Sequence, residues 1–274
     1  MQGIHTTASQ SDHFVQIFPL KEGTSEPLPA IDLSVFVACY NEEENITATL
    51  HDVVDACRGA GLTFEILVID DHSSDYSVEK IQSFQQLYPE VPLTLRINEI
   101  NRGLACNYAD AAFLTRGMWY RLVCGDNAEP RNTLQEIFSH IGEAEIIIPY
   151  HTECPGRSSL RKALSRCYTR LVNLISGYNI KYYNGILVTR RWYVMRWHSD
   201  LHGFGFLADL VTRLLSLHIS YKEIPVTARE RLHGESKAMT FRNFCSVGHT
   251  LLNIFLRRLS VMLFPSVQSP LRDD

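Results

Sequence analysis

Short apolar runs alternate with segments of helical periodicity along the first half of the chain. The runs are continuous and rich in branched residues, which is typical of strands buried on both faces of a parallel sheet. The predicted order is strand Leu33 to Ala38, helix Glu44 to Arg58, strand Phe64 to Ile69, helix Tyr76 to Leu87, strand Leu93 to Ile97, helix Leu104 to Thr115 and strand Trp119 to Cys124. This alternation predicts an α/β fold with a mostly parallel central sheet and helices on both faces.

The second half of the chain is less regular. It predicts a helix from Asn132, a strand Ala144 to Pro149, a basic helix Ser158 to Ser176, a strand near Gly185 to Thr189, a helix Phe206 to Leu217 and a strand Ile219 to Val226. We predict one domain over residues 30–239, preceded by a polar leader over 1–29 and followed by a C-terminal amphipathic helix and tail over 240–274.

Composition narrows the class of protein. The 274 residues carry a formal net charge of -4 and are 45% hydrophobic, as in ordinary globular domains, so no nucleic-acid partner is expected. Seven cysteines without a Cys-x-x-Cys pair, and no secretory signal pattern, favour reduced thiols and a cytoplasmic location. Arg257 and Arg258 interrupt the longest apolar stretch, so any membrane contact is expected to be peripheral.

A polar cluster follows each of the first four predicted strands. The clusters are Tyr40-Asn41-Glu42, Asp70-Asp71, Asn101-Arg102-Gly103 and Gly125-Asp126-Asn127. Because the carboxyl ends of parallel strands meet at one edge of a sheet, and ligands bind beyond that edge, we expect the four clusters to share one crevice.

The carboxylates among them have suitable chemistry for a nucleotide. Asp70 and Asp71 can accept hydrogen bonds from ribose hydroxyls and base N–H groups, although an Asp in such a turn is also a common loop cap. Asp126 follows a glycine and can hold Mg²⁺ or Mn²⁺ against a diphosphate; the alternative is an Asx-turn before the helix that follows Pro130. Near the C-terminus, residues 231–237 place two cations around a glycine, which suits a loop that closes on phosphates or a solvated connector.

Taken in order, these segments resemble the family-2 glycosyltransferases. The matching pieces are Ala38-Cys39-Tyr40-Asn41-Glu42, Ile69-Asp70-Asp71-His72-Ser73, Asn101-Arg102-Gly103-Leu104-Ala105, Gly125-Asp126, Phe206-Leu207-Ala208-Asp209-Leu210, Glu223-Ile224-Pro225-Val226 and Arg231 to Lys237. Among that family the chain is most similar to the dolichyl-phosphate mannose synthases. The resemblance implies a GT-A fold and transfer of a sugar from a UDP- or GDP-sugar to an acceptor.

The resemblance also implies roles for individual residues. The nucleotide donor would be held by Tyr40, Glu42, Asp70, Asp71, Asn101 and Gly103. Asp126 would hold the divalent cation and diphosphate, Arg231 and Lys237 would clamp the phosphates, and Ser236 would contact substrate. Arg161 and Ser165 would bind the phosphate of a polyprenyl-phosphate acceptor. They lie four residues apart on one face of the basic helix, which also suits an anionic membrane surface or a solvated face.

Three departures from the family pattern limit what the resemblance implies. Members usually carry Asp-x-Asp with a Gln two residues later, whereas Asp126 stands alone here, and a metal would have to be held by one carboxylate, phosphates and water, with Glu129 a possible additional ligand. The segment before Gly185 lacks the usual Asp, so mannose is not implied. His151 replaces an Arg that often contacts the acceptor phosphate.

The acceptor remains open between two classes. A polyprenyl phosphate at the cytoplasmic membrane face would need no general base. A hydroxyl of a glycan, lipid or small metabolite would need one, and Asp209 is the candidate for an inverting mechanism, unless it is a surface acid that pairs with Arg213. Because the usual Asp-x-Asp is reduced to one Asp, a nucleotide-sugar-binding protein with weakened catalysis is a further alternative. A sugar nucleotidyltransferase is disfavoured, because no Gly-rich phosphate loop follows the first strand.

Overall fold

The computed structural model describes residues 30–153, 159–197, 203, 205–227 and 241–264. Its strands are β1 (Leu33–Cys39), β2 (Phe64–Asp70), β3 (Leu93–Ile97), β4 (Trp119–Cys124), β5 (Ile146–Glu153), β6 (Val188–Arg190) and β7 (Tyr221–Thr227). Its helices are α1 (Ile46–Gly59), α2 (Ser77–Leu87), α3 (Leu104–Leu114), α4 (Arg131–Ser139), α5 (Ser159–Ser176), α6 (Arg191–Met195), α7 (Phe206–Ser216) and α8 (Phe241–Leu263).

The strands form one seven-stranded sheet in the order β3-β2-β1-β4-β6-β5-β7. β3, β2, β1 and β4 are mutually parallel, and β7 is parallel to β5. β6 is antiparallel to both of its neighbours. The prediction of a mostly parallel sheet is therefore confirmed, and the direction of β6 is an addition that strand periodicity does not reveal.

A glycine brings the chain into β6. A Cβ placed on Gly185 would lie 1.9 Å from the carbonyl oxygen of Pro149 in β5, a separation that two such atoms cannot adopt. Only glycine lets the backbone pass this close to the neighbouring strand. The segment before β6 is thereby held against β5.

Two hydrophobic cores cover the two faces of the sheet. On β1, Val35 and Val37 belong to the core under α1, α2 and α4, while Phe36 belongs to the core under α3, α6 and α7. These side chains are fully buried, as expected for a strand covered on both faces. The prediction of helices on both faces is confirmed.

The observed elements differ from the predicted ones mainly at their ends. The five-residue helix α6 was not predicted, because it is too short to show a helical period. At the start of α2 the N-cap position is Tyr76, and the preceding Asp75 accepts a hydrogen bond from the Ser77 N–H at 3.0 Å. The predicted domain boundary at residue 239 lies outside the described residues and stays a prediction.

The last helix, α8, packs on α5 and α7. Nη1 of Arg258 donates to the carbonyl oxygens of Leu174 and Ile175, at 3.0 and 2.9 Å, near the end of α5 where helix carbonyls lack internal partners. Arg257 reaches Asp209 in α7. Across the described part of the chain, no helix is both long enough and apolar enough to cross a membrane.

Candidate active site

The carboxyl ends of the four parallel strands lie level at one edge of the sheet. In the strand registers, Cys39 is opposite Asp70, Ala38 is opposite Cys124, and Asp70 is opposite Ile97. Neighbouring strands lie about 4.8 Å apart, so the loops that follow them leave the sheet side by side. The structure thus brings together the loops that carry the four predicted polar clusters.

Each of these four loops contains a residue with a positive φ. The residues are Asn41 (56°), His72 (69°), Gly103 (82°) and Asn127 (52°). Asn and Gly adopt this region readily, whereas His does so at a cost. Unusual backbone conformations of this kind concentrate at functional sites, where surrounding contacts hold them in place. The conformations of these four loops are therefore held by contacts within the fold.

The loops after β1 and β2 are joined by hydrogen bonds. The Asn41 N–H donates to Ser73 Oγ at 2.9 Å, and the Ser74 N–H donates to Asn41 Oδ1 at 2.8 Å. The Glu42 N–H donates to Ser77 Oγ at 2.8 Å. This network holds Glu42 and the half-exposed ring of Tyr40 beside the end of β2.

Asp70 is fully buried at the end of β2. Its carboxylate accepts from both the N–H and the hydroxyl of Ser73. The loop-cap alternative for Asp70 is therefore realised in the structure, and it fixes the turn that carries Asp71.

Asp71 holds the loop after β3. Its Oδ1 accepts from the Arg102 N–H at 2.8 Å and the Asn98 side-chain amide at 2.9 Å, and its Oδ2 accepts from the Gly103 N–H at 2.8 Å. Burial raises the pKa of the Asp71 carboxyl, but these donors outweigh it and leave the pKa below its usual value. Asn101 completes the contact by donating to the Asp71 carbonyl oxygen at 3.1 Å. The structure places Asp71, Asn101 and Gly103 in direct contact, as the sequence predicts for one crevice.

Asp126 is 4% exposed in the loop after β4. Its Oδ1 accepts from the Ala128 N–H at 3.2 Å, so the Asx-turn is also realised. Thr49 of α1 fixes this loop, because its hydroxyl donates to the Gly125 carbonyl at 2.9 Å and accepts from the Asn127 N–H at 3.1 Å. A Cβ on Gly125 would lie 2.9 Å from the Ala38 carbonyl oxygen, which explains the glycine before Asp126.

A buried ion pair lies behind Asp126. Arg121, fully buried in β4, donates from Nη2 to Glu129 Oε1 at 2.6 Å. Burial raises the pKa of Glu129; the Arg121 guanidinium opposes this, and Asp126 adds a smaller upward effect. Within the described part of the chain, Glu129 Oε2 and Arg121 Nη1 have no hydrogen-bond partner. Because Glu129 is paired with Arg121, this geometry does not support Glu129 as a metal ligand.

The donor set fits a metal ion that arrives with its substrate. Among the residues that the structure describes, no group of three or more His, Cys, Asp or Glu side chains is arranged to hold a metal. Mg²⁺ is commonly bound by one or two carboxylates, with phosphate and water oxygens completing the shell. A nearly buried Asp126 at a pre-formed loop satisfies the protein's share of that set.

The predicted acceptor residues lie on α5. Arg161 and Ser165 are both half-buried on the inner side of that helix, whereas Lys162, Arg166 and Arg170 are exposed. His151 stacks edge-on against Tyr182, with ring centroids 5.5 Å apart. The assignment of Arg161 and Ser165 to the acceptor phosphate stays a prediction.

Asp209 is 2% exposed in α7 and is not a surface acid. Its Oδ2 accepts from the Trp197 indole N–H at 2.9 Å, and its Oδ1 pairs with Arg257 of α8. The alternative of a surface pair with Arg213 is therefore wrong. Its role as a general base stays a prediction, and in this structure both carboxylate oxygens already accept hydrogen bonds.

Three predicted residues, Arg231, Ser236 and Lys237, lie outside the described residues, and their assignment stays a prediction. The sequence reasoning missed four side chains that build the edge or its support: Ser73, Asn98, Thr49 and Arg121. Arg121 carried a usable signal, because a charge inside an apolar strand requires a buried partner. The other three are ordinary polar residues: the partners of Asn98 and Thr49 lie 27 and 76 positions away, and Ser73 bonds to Asp70 in its own turn.

Comparison with known proteins identifies the family. A model of glycosyl transferase family 2 matches residues 34–187, more than half of the chain. The dodecaprenyl-phosphate galacturonate synthase of Rhizobium johnstonii is 26% identical over 255 residues, which are 88% of this chain and 70% of that protein. The minor teichoic acid biosynthesis protein GgaA of Bacillus subtilis is 26% identical over 165 residues, 58% of this chain but only 37% of that protein.

Solved structures agree on the fold. Glucosyl-3-phosphoglycerate synthase from Mycobacterium tuberculosis, in complex with Mn²⁺, UDP and phosphoglyceric acid, superposes with a TM-score of 0.60 at 14% identity, covering 83% of this chain and 78% of that one. S. aureus TarS 1-349 with UDP-GlcNAc gives 0.57 at 16% identity, covering 88% and 77%. The mannosyltransferase PcManGT from Pyrobaculum calidifontis with GDP-Man and Mn²⁺ gives 0.55 at 13% identity, covering 91% and 79%. The fold is GT-A, and the chain belongs to the family-2 glycosyltransferases.

Proposed function

We propose that this glycosyltransferase moves a sugar from a nucleoside diphosphate to a polyprenyl phosphate at the cytoplasmic face of a membrane, with inversion at the anomeric carbon. The observation that carries the proposal is that the predicted donor-binding loops leave the sheet at one edge. Asp71, the loop that it anchors and Asp126 follow β2, β3 and β4, which belong with β1 to one run of four parallel strands.

The donor nucleoside would lie against the first three loops. A carboxylate offers about four lone-pair positions. Four hydrogen-bond donors already orient Asp71, so a ribose hydroxyl or a base N–H would share an oxygen with one of them. Because the carboxylate is held in place before the donor arrives, binding would require little reorganisation. Tyr40 and Glu42, held by the neighbouring loop, would complete the nucleoside contact.

Asp126 would hold a divalent cation on the diphosphate. That ion would neutralise negative charge that develops on the leaving nucleoside diphosphate. Thr49 fixes the backbone on both sides of Asp126, so the carboxylate keeps its position while the donor binds. We further propose that Arg231 and Lys237 reach the same phosphates and that Ser236 contacts substrate.

The acceptor proposal rests on α5 and on one relative. Arg161 and Ser165 lie one turn apart on a helix with no acidic residue, which suits a phosphate. The relative that aligns with 88% of this chain is named for a polyprenyl phosphate, dodecaprenyl phosphate. A phosphate oxygen attacks as an anion and needs no general base. The occupied carboxylate of Asp209 favours this acceptor over a hydroxyl.

The test compares a short-chain polyprenyl phosphate with the matching polyprenol, using UDP- and GDP-sugars with Mn²⁺ and detection of product by mass spectrometry. Transfer to the phosphate alone would support the proposal, and equal or exclusive transfer to the alcohol would refute the phosphate acceptor. Arg161→Gln should raise the apparent KM for the phosphate acceptor about tenfold or more, since a charged contact is lost. Lys80→Gln, at an exposed lysine of α2, is the matched control and should leave the KM unchanged.

A further inference from the structure

The outer surface of α8 is apolar. Two arginines of α8, Arg257 and Arg258, turn inward to Asp209 and to the end of α5. Over residues 252–263 every exposed side chain except Ser260 is large and hydrophobic, between 41% and 67% exposed: Leu252, Phe255, Leu256, Leu259, Met262 and Leu263. This arrangement is the reverse of a surface helix in a water-exposed protein, which buries its leucines and exposes its cations.

The adjoining helix α5 also exposes an apolar row. Leu160, Leu164, Leu171 and Leu174 recur at steps of three, four and seven residues, so they share one face of the helix, and they are 39% to 76% exposed. The buried residues Thr169, Val172 and Ser176 lie on the opposite side. Two neighbouring helices therefore leave apolar rows without a partner among the described residues. We call these rows the α5/α8 face.

Positive charge borders the α5/α8 face. Lys162, Arg166 and Arg170 recur every four residues and form a row beside the α5 leucines. Arg166 and Arg170 also line an open groove of about 330 Å³ on the outside of α5. Neither α5 nor α8 contains an acidic residue. A partner for this face must be apolar in its interior and negative at its border.

We propose that the α5/α8 face docks on an anionic lipid bilayer, with the leucines and Phe255 entering the interfacial region and the cation row binding lipid phosphates. Apolar side chains with adjacent lysine and arginine are the two features that hold helices at such an interface. A second copy of the chain fits less well, because acid-free helices would bring cations against cations. The proposal deepens the proposed function, since a lipid-linked acceptor resides in a bilayer, but it depends on different residues.

The test measures flotation of the full chain with vesicles of phosphatidylcholine alone or with about a third phosphatidylglycerol. The wild-type chain should bind the anionic vesicles at least tenfold better and should be released as salt rises to about 0.5 M. Leu259→Glu, on the outer row of α8, should weaken binding about tenfold or more. Leu87→Glu, an equally drastic change at an exposed leucine of α2, is the matched control and should bind like wild type.

A charge variant and two further readouts separate the possible outcomes. The double variant Arg166→Gln/Arg170→Gln should bind anionic vesicles about tenfold more weakly, and its binding to phosphatidylcholine vesicles should not change. Transfer to a short acceptor in solution should be unchanged in Leu259→Glu, so a failure of docking is distinguished from a failure of the proposed reaction. The proposal is overturned if the wild type floats with neither vesicle or if Leu87→Glu loses as much as Leu259→Glu. It is also overturned if light scattering shows that Leu259→Glu converts a dimer to a monomer, because the face then belongs to a second copy.

Discussion

Replacing Asp209 by alanine should destabilise the fold, because this carboxylate ties α7 to Trp197 and to α8. The indole N–H of Trp197 would be left without its acceptor, which costs about 1–3 kcal/mol. Removing one partner of a fully buried ion pair costs about 3–5 kcal/mol, but Arg257 is 24% exposed and keeps the Asp209 main-chain carbonyl and Thr212, so we expect about 1–2 kcal/mol there. The sum is about 2–5 kcal/mol.

Equilibrium unfolding in urea measures this cost. With a slope of about 2–3 kcal/mol per molar urea, the midpoint should fall by about 0.7–2.5 M. Asp55→Ala is the control: its pair with Arg131 is half-exposed, so the expected loss is below about 1 kcal/mol. If Asp209→Ala matched this control in stability while sugar transfer disappeared, our structural account of Asp209 would be refuted and the general-base role would gain support.

The other predictions concern the donor edge and its support. The pKa of Asp71 in the folded protein lies below the unfolded value of 3.8. The ionised carboxylate therefore stabilises the fold above about pH 4, and this stabilisation is lost as the pH falls through the folded pKa. Asp71→Asn should flatten this part of the pH profile of thermal unfolding. Gly185→Ala should cost several kcal/mol, about 3 or more by urea unfolding, because its Cβ would meet the Pro149 oxygen, and an unchanged midpoint would contradict the packing described. Arg121→Leu should cost about 3–5 kcal/mol by leaving Glu129 buried without its partner, whereas Arg121→Leu/Glu129→Leu should recover most of that loss; additive losses would exclude the coupling.

The sequence was sufficient to predict the architecture of the first half. Continuous apolar runs such as Leu33–Cys39 are typical of buried strands, and their alternation with helices predicts parallel strands whose ends share an edge. The same pattern predicts that Asp71 and Asp126 lie at that edge. Strand order beyond β4 was not predictable, because nothing in the period of residues 188–190 indicates an antiparallel direction.

The features that the sequence did not predict depend on contacts between residues that are distant along the chain. The partner of Asp209 is Arg257, 48 positions along the chain, while sequence reasoning tested only the helical neighbour Arg213. Helical periodicity found the amphipathic pattern of α8 but could not tell which side meets the protein. The ion pair and the carbonyl contacts of Arg258 decide that the arginines turn inward. The orientation of a helix depends on which residues of other elements it contacts, and a single sequence does not reveal those contacts.

Titration calorimetry of UDP-sugar and GDP-sugar, with and without Mn²⁺, tests the central claim that Asp71 and Asp126 face one donor site. We expect one nucleotide to bind, Mn²⁺ to tighten it, Asp126→Asn to abolish the Mn²⁺ effect, and Asp71→Asn to weaken binding about tenfold or more while Asp55→Asn changes nothing. Unaltered affinity and an unaltered Mn²⁺ effect in both edge variants would contradict the account.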